Sequence, residues 1–166
     1  MTSRTKTCME MGAAAGLVGG VVSGALLELA HMTTPEGLRG PAMGLIAGAV
    51  HTTHAPLAWA GYLLYAALLG AGLGWLLRYE DIGAGGVVWG VLYGGFWWIV
   101  SGLVVIPALY GIGPMTPAAV DVIRSASLPW FVAMLVDGGV LGAAYALLMR
   151  RRPARVEVSA VTRRAA

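Results

Sequence analysis

Four long apolar tracts, at 9–31, 56–78, 84–106 and 128–150, are separated by short segments that hold most of the polar and charged residues. Each has the length, about 20 residues, that lets an α-helix cross a hydrocarbon core of roughly 30 Å. Within the tracts the regular feature is glycine. Gly12, Gly16, Gly20 and Gly24 recur every fourth residue in the first, and Gly86, Gly90 and Gly94 do so in the third. Glycine weakens an isolated helix by about 1 kcal/mol relative to alanine. In lipid such a stripe lets two backbones approach until van der Waals contact replaces the missing hydrophobic drive. These seven glycines are therefore the expected helix-packing residues.

The two striped tracts also resemble each other. Aligning 16–24 (GLVGGVVSG) with 86–94 (GVVWGVLYG) matches Gly16, Val18, Gly20, Val21 and Gly24 with Gly86, Val88, Gly90, Val91 and Gly94. Further on, Gly40-Pro41 corresponds to Gly113-Pro114, Leu57-Ala58-Trp59 to Leu128-Pro129-Trp130, and Leu69-Gly70-Ala71 to Leu141-Gly142-Ala143. The pattern predicts an all-α integral membrane four-helix bundle, built as a tandem 2+2 parallel repeat about an axis along the membrane normal. Each hairpin is expected to supply the close neighbour that the other's glycine stripe needs. Trp59 and Trp130 fall where interfacial tryptophans belong.

The outer loops are too apolar for plain turns. Residues 41–54 (PAMGLIAGAVHTTH) suit a short interfacial or re-entrant helix, and 117–127 (PAAVDVIRSAS) a more polar version that Pro117 starts. Residues 1–152 then form a single transmembrane domain, followed by a disordered basic cytoplasmic tail at 153–166.

Composition agrees: of 166 residues, 58% are hydrophobic and only 11% charged, against about 25% in an ordinary soluble domain. The net charge of +3 does not point to nucleic acid, because the basic residues flank helix ends. Nine lie before helix 1, in the 2–3 turn or after helix 4 (Arg4, Lys6, Arg78, Arg150, Arg151, Arg152, Arg155, Arg163, Arg164), and only Arg39 and Arg124 lie in the other loops. Basic residues favour the cytoplasmic side, so both termini are expected in the cytoplasm, in a bacterial inner membrane. The single Cys8 excludes an intramolecular disulfide.

Asp137 is the leading candidate for chemistry. It lies near the centre of helix 4, where an ionisable group is expensive and normally faces the bundle interior. It serves either as a proton or cation relay or a ligand anchor, or as a protonated carboxyl that fixes packing through Tyr65, Ser23 or Tyr93. Tyr65 is its counterpart in the repeat. Glu28 continues the glycine face of helix 1 but lies near the outer interface, which suits a capping role. His31, His51 and His54 fall on the same outer side, and the spacings Glu28-x-x-His31 and His51-x-x-His54 put pairs on one helical face, as metal sites do. With Met32, Met43 and Met115 at similar depth they would suit copper, or an axial haem role, although the expected state is no cofactor. Trp97 and Trp98 near the middle of helix 3 either fill grooves opposite glycine or line a pocket. No nucleophile–base pair, phosphate loop or dinucleotide fingerprint is present, so no enzyme activity is expected.

The glycine-striped first helix, the third helix Gly86-Val87-Val88-Trp89-Gly90-Val91-Leu92-Tyr93-Gly94 and the final Leu141-Gly142-Ala143-Ala144-Tyr145 together resemble small uncharacterised four-helix bacterial inner-membrane proteins of the YagU-like kind. The likeness covers most of residues 12–148 and implies no assured activity. Three functions stay open on the residues themselves. The leading expectation is a non-catalytic accessory or structural subunit in the bilayer, self-associating as a homo-oligomer or packed with other membrane subunits. The second is a small proton- or cation-coupled transporter or channel using Asp137, and the third a metal- or haem-binding redox protein.

Overall fold

The computed structural model describes residues 3–33, 39–49, 52–79, 85–109, 111, 113 and 116–150. The chain order is α1 (Ser3–Leu29), β1 (His31–Thr33), β2 (Arg39–Pro41), α2 (Ala42–Ala49), α3 (Ala55–Leu76), α4 (Gly86–Val100), a π-helical turn (Ser101–Val105), α5 (Ile106–Leu109) and α6 (Pro117–Arg150). Four helical segments are long and apolar enough to cross a membrane: Arg4–Leu29, Ala55–Leu76, Gly86–Val105 and Trp130–Arg150.

The outer connections depart from expectation in two ways. After α1 ends at Leu29 the chain makes a small antiparallel hairpin, with His31 opposite Pro41, and Ala42 N–H donates to the Ala30 carbonyl at 2.9 Å. The expected short helix follows as α2, which packs on α1 and α3. The second expected short helix is not separate. Residues 117–150 run as one helix of 34 residues that starts on Pro117 and continues through Pro129. Proline removes one donor and crowds the preceding turn, but neighbouring groups in a membrane helix can re-satisfy the freed carbonyl. A single proline was therefore too weak a stop signal. The expected tail at 153–166 lies outside the described residues.

Packing is closest within each hairpin. The α1 stripe meets α3: a Cβ on Gly12 would strike the Gly70 carbonyl and lie 3.1 Å from Gly74 Cα, and one on Gly16 would strike the Ala66 carbonyl and lie 3.1 Å from Gly70 Cα. The α4 stripe meets α6 the same way, with Gly90 on Gly138 and Gly142, and Gly94 on Met134 and Gly138. The expectation that each stripe is met by the other hairpin is thus corrected: each stripe meets the small-residue face of the next spanning helix, Ala66, Gly70 and Gly74 on α3 and Gly138 and Gly142 on α6. The register also shifts. Gly70 lies on the Gly12 carbonyl as Gly142 lies on that of Gly86, so Gly12 corresponds in contact to Gly86 and Gly16 to Gly90, one turn from the alignment of Gly16 with Gly86.

Between the hairpins, α1 packs along α6, whereas α3 and α4 stand further apart. Gly19 permits the first approach, because a Cβ there would fall 2.6 Å from Asp137 Oδ1 and 3.0 Å from its backbone oxygen. The interior divides into two apolar clusters. One holds Leu27, Ala42, Met43, Tyr62, Trp130, Ala133 and Met134, and the other Ala15, Leu73, Leu77, Leu141 and Tyr145. Asp137 follows Met134 and precedes Leu141 by one helical turn each, so a polar layer separates the two clusters.

Candidate functional site

Three helices build that layer. Ser23 of α1 is fully buried and Asp137 of α6 is 5% exposed, with Tyr62 of α3 beside them at 3%. Ser23 Oγ lies 2.7 Å from Tyr62 Oη, 3.2 Å from Asp137 Oδ1 and 2.9 Å from the Gly19 carbonyl oxygen. Asp137 is the eighth of 21 residues in its span, so its Cα sits roughly 4–5 Å from the span's midpoint at the helical rise.

Proton accounting limits what this arrangement can do. A serine hydroxyl has one proton and two lone pairs. With the carboxyl ionised, Ser23 donates to Asp137 and accepts from Tyr62. With the carboxyl protonated, Asp137 donates to Ser23, whose own proton turns to the Gly19 carbonyl. Both states keep Ser23 bonded without moving a helix, so the cluster accommodates the carboxyl with or without its proton. Among the described residues no Lys, Arg or His pairs with Asp137; the ion pair described joins Lys6 and Glu10 at 3.9 Å on the surface.

Further hydroxyls continue the layer on the α3–α4 side. Tyr65 Oη and Ser101 Oγ form a short hydrogen bond at the start of the π-helical turn. Tyr93 Oη donates to the Leu69 carbonyl at 2.9 Å. Two helical turns beyond Asp137, in the second cluster, Tyr145 Oη of α6 donates to the Gly74 carbonyl at 3.5 Å. Trp97 Nε1 is buried and has no hydrogen-bond partner within normal geometry among the described residues. Its ring meets Tyr93 and Phe96 edge to face at 6.1 and 5.7 Å between centroids.

The expected site residues do not all converge. Tyr65 bonds Ser101 rather than Asp137. Glu28 is exposed, one residue before α1 ends. His31 is exposed in β1 and His54 is exposed at the N-cap of α3. Glu28 and His31 therefore do not share a helical face, because α1 ends at Leu29, and residues 52–54 are not helical. His51 and Met115 lie outside the described residues, while Met43 is buried in the apolar core. No group of three or more His, Cys, Asp and Glu that could hold a metal ion occurs among the described residues. Trp59 lies against Gly24, and Trp130, the first residue of its span, is buried in the core. Trp98 packs on Phe131 at 4.9 Å between centroids.

Tyr62 was missed. The signal was available in principle, because it precedes the singled-out Tyr65 by one helical turn.

Comparison adds no family to this geometry: no protein-family model, curated protein or solved structure matches the chain.

Proposed function

We propose that this is a small, non-enzymatic membrane transporter in which Asp137 takes up and releases a proton or monovalent cation. The observation that carries the reading is the carboxyl near mid-span, bonded to a hydroxyl that can reverse its donor role (Asp137, Ser23 and Tyr62). Intramembrane acids that face a bundle interior mark ion pathways and relays. The line of hydroxyls from Ser101 and Tyr65 through Tyr93 to Tyr145 supplies further polar positions along the inside of the bundle.

A tandem repeat strengthens this reading. Taking the contact register, α1 relates to α4 by 74 residues and α3 to α6 by 72. Gly19 and Ser23 on the α1–α6 seam then correspond to Tyr93 and Trp97 on the α3–α4 seam. One seam is sealed by small residues and the other wedged by large ones. Two halves of like design in unlike packing states are what an alternating pathway requires.

The accessory-subunit reading has its own support in the broad apolar face of α4, where Val87, Val88, Trp89, Leu92, Phe96 and Ile99 are all exposed. Its original motive is weaker, because the glycine stripes find their neighbours inside the chain. The resemblance to YagU-like proteins and an inner-membrane location with cytoplasmic termini remain part of this proposal, on the distribution of basic residues.

Flux in proteoliposomes containing a pH-sensitive dye, driven by an imposed potassium diffusion potential, tests it. Wild-type protein should conduct above protein-free vesicles and Asp137→Asn should not. Wild-type vesicles that match protein-free ones, with protons and with sodium or potassium as the carried ion, would overturn transport. Equal flux from the variant would remove Asp137 from it.

A further inference from the structure

The oxygens around Ser23 distinguish between the two kinds of ion that Asp137 could carry. Tyr62 Oη lies 2.7 Å from Ser23 Oγ, the Gly19 carbonyl 2.9 Å and Asp137 Oδ1 3.2 Å. These are hydrogen-bond separations. A serine hydroxyl accepts two hydrogen bonds and donates one. With Asp137 protonated, the acid and Tyr62 both donate to Ser23, and Ser23 donates to Gly19, so three contacts share three hydroxyl protons. With Asp137 ionised, one proton fewer serves the same three contacts. The added proton therefore completes the set and takes up no further space.

A metal cation has no such place. Sodium has nearly the radius of calcium, whose oxygen ligands stand at about 2.3–2.6 Å and so, in an octahedral array, about 3.3–3.7 Å from one another. Potassium needs more. Every contact of Ser23 with Tyr62, Gly19 and Asp137 is shorter than that. The seam has no slack on the α1 side, where a Cβ added at Gly19 would fall 2.6 Å from Asp137 Oδ1 and 3.0 Å from its backbone oxygen. A coordinating water has no room there either. The three side chains bring four oxygens, and the Gly19 and Gly20 carbonyls beside Ser23 already serve the helical ladder of α1. An ion stripped of its water would gain an incomplete shell between two apolar clusters. We infer that the ion bound at Asp137 is the proton itself, held on Ser23 Oγ, and that sodium and potassium are excluded.

No charged side chain among the described residues competes for this role. On α1, Glu28 is exposed five residues beyond Ser23, and α4 carries Tyr93 as its titratable group. From α3 come the phenols of Tyr62 and Tyr65, and β1, which also packs on α6, carries the exposed His31.

The inference rests on the reading of Asp137 as an ion carrier, and its test separates the two. Difference infrared spectra of the full chain, in a detergent without ester groups, record the carbonyl band of protonated carboxyls as pH is lowered. The part of that band missing from Asp137→Asn belongs to Asp137, and Asp137→Glu, which keeps the acid, should return it at a shifted frequency. At a fixed pH where this part is half developed, replacing choline by sodium or by potassium should leave it unchanged. A band that falls as either metal ion rises would overturn proton selectivity and leave Asp137 as a cation carrier. A band identical in wild type and both variants at every pH would show that Asp137 takes up no proton, and would overturn the inference outright. An Asp137 band that ignores both metal ions, in a protein without flux in the vesicle assay, would uphold the proton site and overturn transport alone.

Discussion

Replacing Gly90 by alanine adds one methyl group at the tightest point between α4 and α6. The new Cβ would fall on the Gly138 carbonyl oxygen and 2.9 Å from Gly142 Cα. Carbon contacts are comfortable at about 3.5–4.0 Å, so the helices must part by about 1 Å along a face whose attraction is mainly dispersion. Both obstacles are backbone, and no rotamer change relieves them. Overpacking of this kind costs about 1–3 kcal/mol, the upper end applying where backbone must move, and the better helix propensity of alanine returns up to about 1 kcal/mol. The net loss is about 2 kcal/mol. Gly139→Ala is the control, because one turn-face away its Cβ would meet only Val91 Cγ2 at an ordinary 3.5 Å. Titration of both variants from mild detergent into SDS, followed by tryptophan fluorescence and circular dichroism, reads the helix-separation equilibrium. Gly90→Ala should shift its midpoint well below wild type, and Gly139→Ala should leave it unchanged or raise it. A Gly90→Ala variant as stable as Gly139→Ala would refute close backbone contact as the reason for the stripe.

The polar layer gives three further outcomes. Ser23→Ala removes the hydroxyl joining Tyr62 to Asp137 and leaves two buried groups short of a partner, so it should lower stability by about 1–3 kcal/mol in the same titration. Gly19→Ala should displace the carboxyl and loosen the α1–α6 seam, since the added Cβ lies 2.6 Å from Asp137 Oδ1 and 3.0 Å from its backbone oxygen; reduced flux with a lowered midpoint is the expected pattern, and unaltered flux would contradict it. Trp97→Phe deletes a buried N–H that has no acceptor among the described residues, so its midpoint in the same titration should equal or exceed wild type despite the smaller ring, and a lower one would contradict this.

The four spans were legible in the sequence because length and hydropathy determine them with little help from tertiary structure. Helix partners were not. Hydropathy says nothing of helix rotation, and a glycine stripe reports that a close neighbour exists without saying which. The identity of Asp137 as an interior residue followed from the cost of its charge in lipid. Its hydrogen-bond partner Ser23 was one of the three expected, but which tyrosine joins them depended on rotation about α3 of less than a turn, and Tyr62 took the place expected for Tyr65. His31 shows the converse error: Glu28-x-x-His31 reads as a helical pair only if the helix continues, and α1 ends between them at Leu29. The continuation of α6 through residues 117–129 was hidden because polar residues and Pro129 look like a loop, although each is tolerable in a helix outside or at the edge of the hydrocarbon.

If Asp137 carries a proton or cation, it must exchange it with solution while the bundle stays assembled. Transient currents on a solid-supported membrane after a rapid change of pH or of cation concentration measure that exchange directly. Wild-type protein should give a protein-dependent charge displacement that Asp137→Asn abolishes and Asp137→Glu retains in part, with all three proteins showing the same helical content. A displacement of equal size from the asparagine variant, or none from wild-type protein under either jump, would contradict the account.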